Sequence, residues 1–105
     1  MSSARLEILL KELEKNRNDP FSRYLVALEY VKLGSSDEAF GEFAKLVAQH
    51  PQYVPTYYQY AAALEKAGRL AEAQHVLRLG IDAATKAGDG HARSEMQQAL
   101  DLIDG

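Results

Sequence analysis

The sequence predicts an all-α protein, an antiparallel helix-turn-helix solenoid of about six helices. Three observations lead there. The chain matches itself when 34 is added to each residue number: Tyr24 falls on Tyr58, Ala27 on Ala61, Lys32 on Lys66, Gly34 on Gly68, Glu38 on Glu72 and Ala39 on Ala73. Each copy carries a glycine, Gly34 or Gly68, where a periodic apolar run stops, as helix ends require. No stretch has the strict alternation or β-branched density of a strand.

The elements follow in order. The first helix, within residues 3–18, has Ser3 as its cap and Leu6, Leu9, Leu10 and Leu13 on one face, with Glu7 and Lys11 on the solvated side. Ile8 lies off that stripe, which predicts a contact on a second side. Asp19-Pro20 opens the second helix, since proline at the first helical position lacks only an N–H that has no partner there anyway. Gly34 ends it, and Ser35 with Glu38 has the spacing of a capping box for a third helix. That helix ends before Pro51. Pro55 opens the fourth helix and Gly68 closes it. The fifth runs from about Leu70 to Lys86 and stops at Gly88-Asp89-Gly90. Asp89 then caps a sixth, with Ala92, Met96, Ala99, Leu100 and Ile103 on one face.

Composition narrows the function classes. At 105 residues the chain reads as one domain, 1–105, large enough for its own core without covalent staples. With no cysteine, disulfides and thiolate metal sites are excluded, and a reducing, cytoplasmic location is expected. The formal charge of −3, without a basic run, argues against nucleic acid and anionic membranes as partners. The first fifteen residues are too charged for a signal peptide or a membrane span.

No motif points to chemistry. His50, His75 and His91 lie in separate elements without a closely spaced His or Cys partner, so no metal is expected. Asp37 and Glu38 sit in a first helical turn, where the helix dipole already favours carboxylates. Gly88-Asp89-Gly90 precedes a helix but lacks the strand and the Gly-Lys-Ser/Thr ending of a phosphate loop. The chain therefore reads as a non-enzyme with no cofactor.

The repeats resemble the tetratricopeptide (TPR) family, whose 34-residue signature is W-x2-L-G-x2-Y, then A-x3-F, then P. The first copy has Arg23, Val26-Ala27, Tyr30, Ala39, Phe43 and Pro51; the second has Tyr57, Tyr60-Ala61, Leu64, Ala73 and Leu77. Arg23 stands where a large aromatic is usual, and Thr85 where the closing proline belongs. The resemblance covers residues 19 to about 87 and implies an entry helix (3–18), two units (19–53 and 54–87) and a closing helix (89–104). Alanines at 27, 39, 61 and 73 would allow close helix crossing, and Tyr30, Phe43, Tyr57 and Leu77 would fill the interhelical space.

The resemblance also implies a function: protein–protein interaction, through the concave face lined by the first helix of each repeat. At 100° per residue, Val26, Ala27, Tyr30 and Leu33 take the core side. Phe21, Tyr24, Leu28 and Val31 form a second stripe, matched in the next copy by Pro55, Tyr58, Ala62 and Glu65. We expect a groove with Tyr24 and Tyr58 as anchors, Phe21, Leu28, Val31 and Ala62 as its floor, and Lys32, Glu65 and Lys66 at the rim, receiving a partner peptide or helix. Two other readings compete. A terminal helix could cover this stripe, or the stripe could pair with itself in a structural homodimer.

Overall fold

The computed structural model describes residues 3–105, and all regular structure among them is helical. The helices are α1 (Ala4–Lys15), α2 (Pro20–Lys32), α3 (Ser36–Gln49), α4 (Pro55–Lys66), α5 (Leu70–Ala87) and α6 (Gly90–Asp104). They form two compact units, Met1–His50 and Pro51–Gly105.

The helix ends follow the local chemistry. The Ser3 hydroxyl accepts from the Leu6 N–H, the Asp19 carboxylate from the Phe21 N–H, and the Asp89 carboxylate from the Ala92 N–H. Gly34, Gly68 and Gly88 have φ of 76°, 79° and 71°. After α2, the Ser35 N–H reaches back to the Tyr30 carbonyl at 2.9 Å and the Gly34 N–H to Val31 at 3.0 Å. The Arg69/Leu64 and Gly68/Glu65 pairs repeat this after α4, and Asp89/Ala84 and Gly88/Thr85 after α5. These paired bonds satisfy carbonyls that a helix end would otherwise leave open, and they need a left-handed residue.

The expected capping box at Ser35 does not form, because its side chain makes no cap hydrogen bond. Ser35 has ψ of 69°, far from the 159° of the capping Ser3. Asp89 caps at a similar ψ of 83° with a side chain one atom longer.

In the first unit α1 packs on α2, and α2 on α3. Leu6, Leu13 and Val26 form a buried cluster, with Leu9, Tyr30 and Leu33 half-buried against it. Leu10 stays 38% exposed and Ile8 62%, so α1 buries a narrower stripe than its leucines suggested, and the second-side contact expected at Ile8 does not form. Beside the cluster, the buried Glu29 carboxylate accepts from Arg5 Nε at 3.1 Å and from Ser3 Oγ at 3.4 Å. This polar clasp ties the start of α1 to α2. Phe43 and Leu46 of α3 are fully buried.

In the second unit α5 packs on both α4 and α6. Tyr57, Ala61 and Leu64 of α4 are buried, as are Ala73, Val76, Leu77, Gly80 and Ala84 of α5 and Met96 and Leu100 of α6. The Tyr57 hydroxyl donates to the Pro51 carbonyl, which ties the start of this unit to α4.

Candidate functional site

Two faces of the chain present apolar side chains that stay wholly or partly exposed. In the first unit, Phe21 at the start of α2 is 52% exposed and Lys32 at its end is exposed, while Tyr24, Leu28 and Val31 between them are half-buried. α1 meets α2 through Val26, Tyr30 and Leu33, on the predicted core side.

In the second unit, α4 and α6 flank a cleft over α5. Its walls are Tyr58 and Glu65 of α4 and Glu95, Gln98, Ala99 and Leu102 of α6, around a volume of about 220 Å³. A smaller recess of about 30 Å³ beside it is lined by Tyr58, Ala61, Ala62, Glu65, Leu77 and Ala99. Tyr58 is 43% exposed and Leu102 is 84% exposed. Of the residues expected to form a site on this helix, Tyr58, Ala62 and Glu65 thus come together. Lys66 is exposed but does not line the cleft.

Of the competing readings, cover by a terminal helix is met in part: α6 walls the cleft beside Tyr58 and Glu65 but leaves Tyr58 43% exposed, and sequence did not single out which α6 residues do so. Glu95, Gln98 and Leu102 follow the spacing of one helical face with Ala99, but their mixed character hides them beside the apolar stripe of Ala92, Met96, Ala99, Leu100 and Ile103. The available signal was Leu102, an apolar residue off that stripe.

The cleft is acidic. Glu65 and Glu95 line it, and no Lys or Arg does. Behind α4, burial, with the Asp82 charge as a smaller cause, raises the Tyr57 phenol above its ordinary value. Burial also raises Tyr60, with Glu72 adding to the effect and Arg69 opposing it. The Glu72 carboxyl is held below the ordinary carboxylate value, chiefly by its hydrogen bond from Arg69. None of these three groups lines the cleft. Ligand pockets that enclose small molecules typically span roughly 300–1,000 Å³; at about 220 Å³ this cleft is smaller.

Elsewhere the polar features have local uses. Asp89 in Gly88-Asp89-Gly90 is a helix cap. His75 and His91 are exposed, and His50 is half-buried at the end of α3. Among the described residues no group of three or more His, Asp or Glu side chains is placed to hold a metal ion. Among them, too, no helix is long and apolar enough to cross a membrane.

Comparison with known proteins agrees with this architecture. The tetratricopeptide repeat family profile matches residues 30–100. The solution structure of a tetratricopeptide repeat domain protein from Salinibacter ruber is 34% identical, covers 83% of this chain and 88% of its own, and superposes with a TM-score of 0.80. A crystal structure of a tetratricopeptide repeat domain protein from the same organism gives 34% identity, coverage of 83% and 98%, and a TM-score of 0.78. A Bordetella parapertussis protein covers 99% of this chain and 90% of its own with a TM-score of 0.81; at 21% identity it speaks to the fold alone. No curated protein matches the chain significantly.

Proposed function

The chain belongs to the tetratricopeptide repeat family, and from that premise we propose that it is a non-catalytic module that binds a partner peptide or helix on the face presented by the first helix of each repeat. The family is in general one of protein-interaction modules, and its relatives set the class of function without naming a partner. The residues proposed to touch the partner are Phe21, Tyr24, Leu28, Val31 and Lys32 in the first unit. In the second they are Tyr58, Ala62, Glu65 and Lys66, joined by Leu102. The observation that carries this reading is the pair Tyr58 and Leu102. Both are large, both stay exposed, and they stand on the two helices that flank one cleft. Apolar side chains placed this way mark an interaction surface more readily than singly scattered ones. A cytoplasmic location accords with the absence of cysteine.

The experiment is affinity capture from a lysate with the full chain and with a Tyr58→Ala/Leu102→Ala variant. Interface anchors cost on the order of 2 kcal/mol when truncated, so the variant should lose the captured proteins while melting as the wild type does. Retention of every partner would move the binding surface elsewhere. A variant that changes only a concentration-dependent sedimentation coefficient would favour self-association.

A further inference from the structure

We propose that the α4–α6 cleft selects a basic amphipathic segment of its partner, one that sets Lys or Arg beside a large apolar residue; this rests on the protein-binding reading above and specifies its chemistry. Most carboxylates of this unit already have a local partner. In the second unit, Glu72 pairs with Arg69, Asp82 with Lys86 and Asp104 with Arg78. Asp89 caps α6, and Asp101 accepts from the Gln97 amide. Glu65 and Glu95 have no Lys or Arg partner among the described residues. Among the described residues Glu65 lies in no ion pair, and Glu95 meets the exposed His91 at 3.5 Å. Both line the cleft, and the remaining lining residues are Tyr58, Gln98, Ala99 and Leu102.

With two carboxylates and no Lys or Arg lining it, the cleft disfavours an acidic visitor. A Lys or Arg side chain entering there meets both carboxylates, and the exposed Tyr58 offers it an aromatic face. An apolar neighbour on the same segment would cover Leu102, and Gln98 can both donate to and accept from its backbone. The same charges oppose the cleft's closing on its own copy. A two-fold pairing brings each patch against itself, so glutamates would face glutamates in a chain already at −3.

The test pans a random peptide library on the full chain, on the E65K/E95K variant and on the Tyr58→Ala/Leu102→Ala variant. The substituted glutamates are exposed, so circular dichroism should show native helicity and melting. Wild type should enrich peptides with Lys or Arg next to Leu, Phe or Tyr. In fluorescence anisotropy these should bind more weakly as salt rises. They should lose about tenfold or more in affinity for E65K/E95K, the scale of one close charge pair. Enrichment of neutral or acidic peptides on wild type, or no enrichment, would overturn the proposal. So would basic peptides indifferent to E65K/E95K. If these still fail on the apolar variant, the charge preference is wrong but the binding site stands; if they bind that variant equally, the site itself is wrong.

Discussion

Gly80 of α5 lies against Tyr57 of α4 so closely that a Cβ on Gly80 would sit 2.5 Å from the Tyr57 Cβ, and would also strike the Met96 sulfur of α6. The sulfur is the end of a flexible chain, but the tyrosine Cβ is fixed to its backbone and cannot swing aside. Three helices therefore meet over one missing side chain.

Gly80→Ala sets two effects against each other. Alanine is favoured over glycine inside a helix by about 1 kcal/mol. Overpacking a close-fitted core costs about 1–3 kcal/mol and sometimes more. We expect overpacking to win, with a net loss of about 2 kcal/mol in urea unfolding. Gly41→Ala is the internal control. Gly41 is exposed within α3, and a Cβ there meets nothing within 4 Å. That variant should gain stability by up to about 1 kcal/mol. Equal responses at the two glycines would mean the Gly80 contact is not close-packed.

Arg23 and Glu42 form the second test. Arg23 Nη1 donates to Glu42 Oε1, with side chains only 13% and 16% exposed, and Lys45 approaches the other carboxylate oxygen at 3.7 Å. Their counterparts at +34 are Tyr57 and Val76, both buried. The first unit thus holds an ion pair where the second holds a tyrosine and a valine. Removing either partner should leave a mostly buried charge unpaired and cost about 2 kcal/mol, between exposed and fully buried pairs. The double replacement Arg23→Met/Glu42→Leu should cost less than either single change, since an apolar pair avoids the desolvation of both ions. Additive losses in this double-mutant cycle would show that the two residues do not act together.

Much of the fold was legible because it rests on local rules. Gly34 and Gly68 could be placed at left-handed helix ends from their position after periodic runs, and both adopt that conformation. Pro20 and Pro51 marked helix boundaries through backbone sterics, and Asp19 through its capping carboxylate. What stayed hidden depends on residues distant in sequence. Glycine at 80 is uninformative until Tyr57 and Met96 are known to press on it. Leu10 looks like core by periodicity, but α2 offers α1 only a narrow apolar strip. The Tyr58, Ala62 and Glu65 side of the cleft could be found by adding 34 to the first repeat. Its α6 wall could not, because Glu95, Gln98 and Leu102 form a face of mixed polarity beside a stronger apolar stripe.

Thr56 offers a third prediction. Its hydroxyl is fully buried in α4, and no hydrogen-bond partner for it is present among the described residues. An unmet buried polar group typically costs about 1–3 kcal/mol, and valine keeps the shape without the hydroxyl. Thr56→Val should therefore raise stability by about 1 kcal/mol. A drop in the unfolding midpoint would mean that the hydroxyl is satisfied in solution.

Alkaline pH supplies a fourth. The Tyr57 and Tyr60 phenols are raised in the fold, chiefly by burial. Below the unfolded value of about 10 both states keep these protons, and stability does not depend on them. As pH rises past about 10, the unfolded chain ionises first and is favoured, so stability falls. Tyr57→Phe should flatten that decline. It should also lose the hydrogen bond to the Pro51 carbonyl, at a cost of about 1 kcal/mol at neutral pH. Urea midpoints measured across the alkaline range would check both effects. A midpoint that holds level well above the unfolded phenol value would contradict the assignment.

The most direct measurement for the binding account is an NMR titration of the isotope-labelled full chain with a peptide enriched by panning. Binding through the α4–α6 cleft predicts saturable shifts of the Tyr58, Ala62, Glu65, Glu95, Gln98 and Leu102 amides, with little change on the exposed side of α5. Shifts confined to His75, Leu79 and Asp82 on α5, with the Tyr58 and Leu102 signals unmoved at saturation, would contradict it.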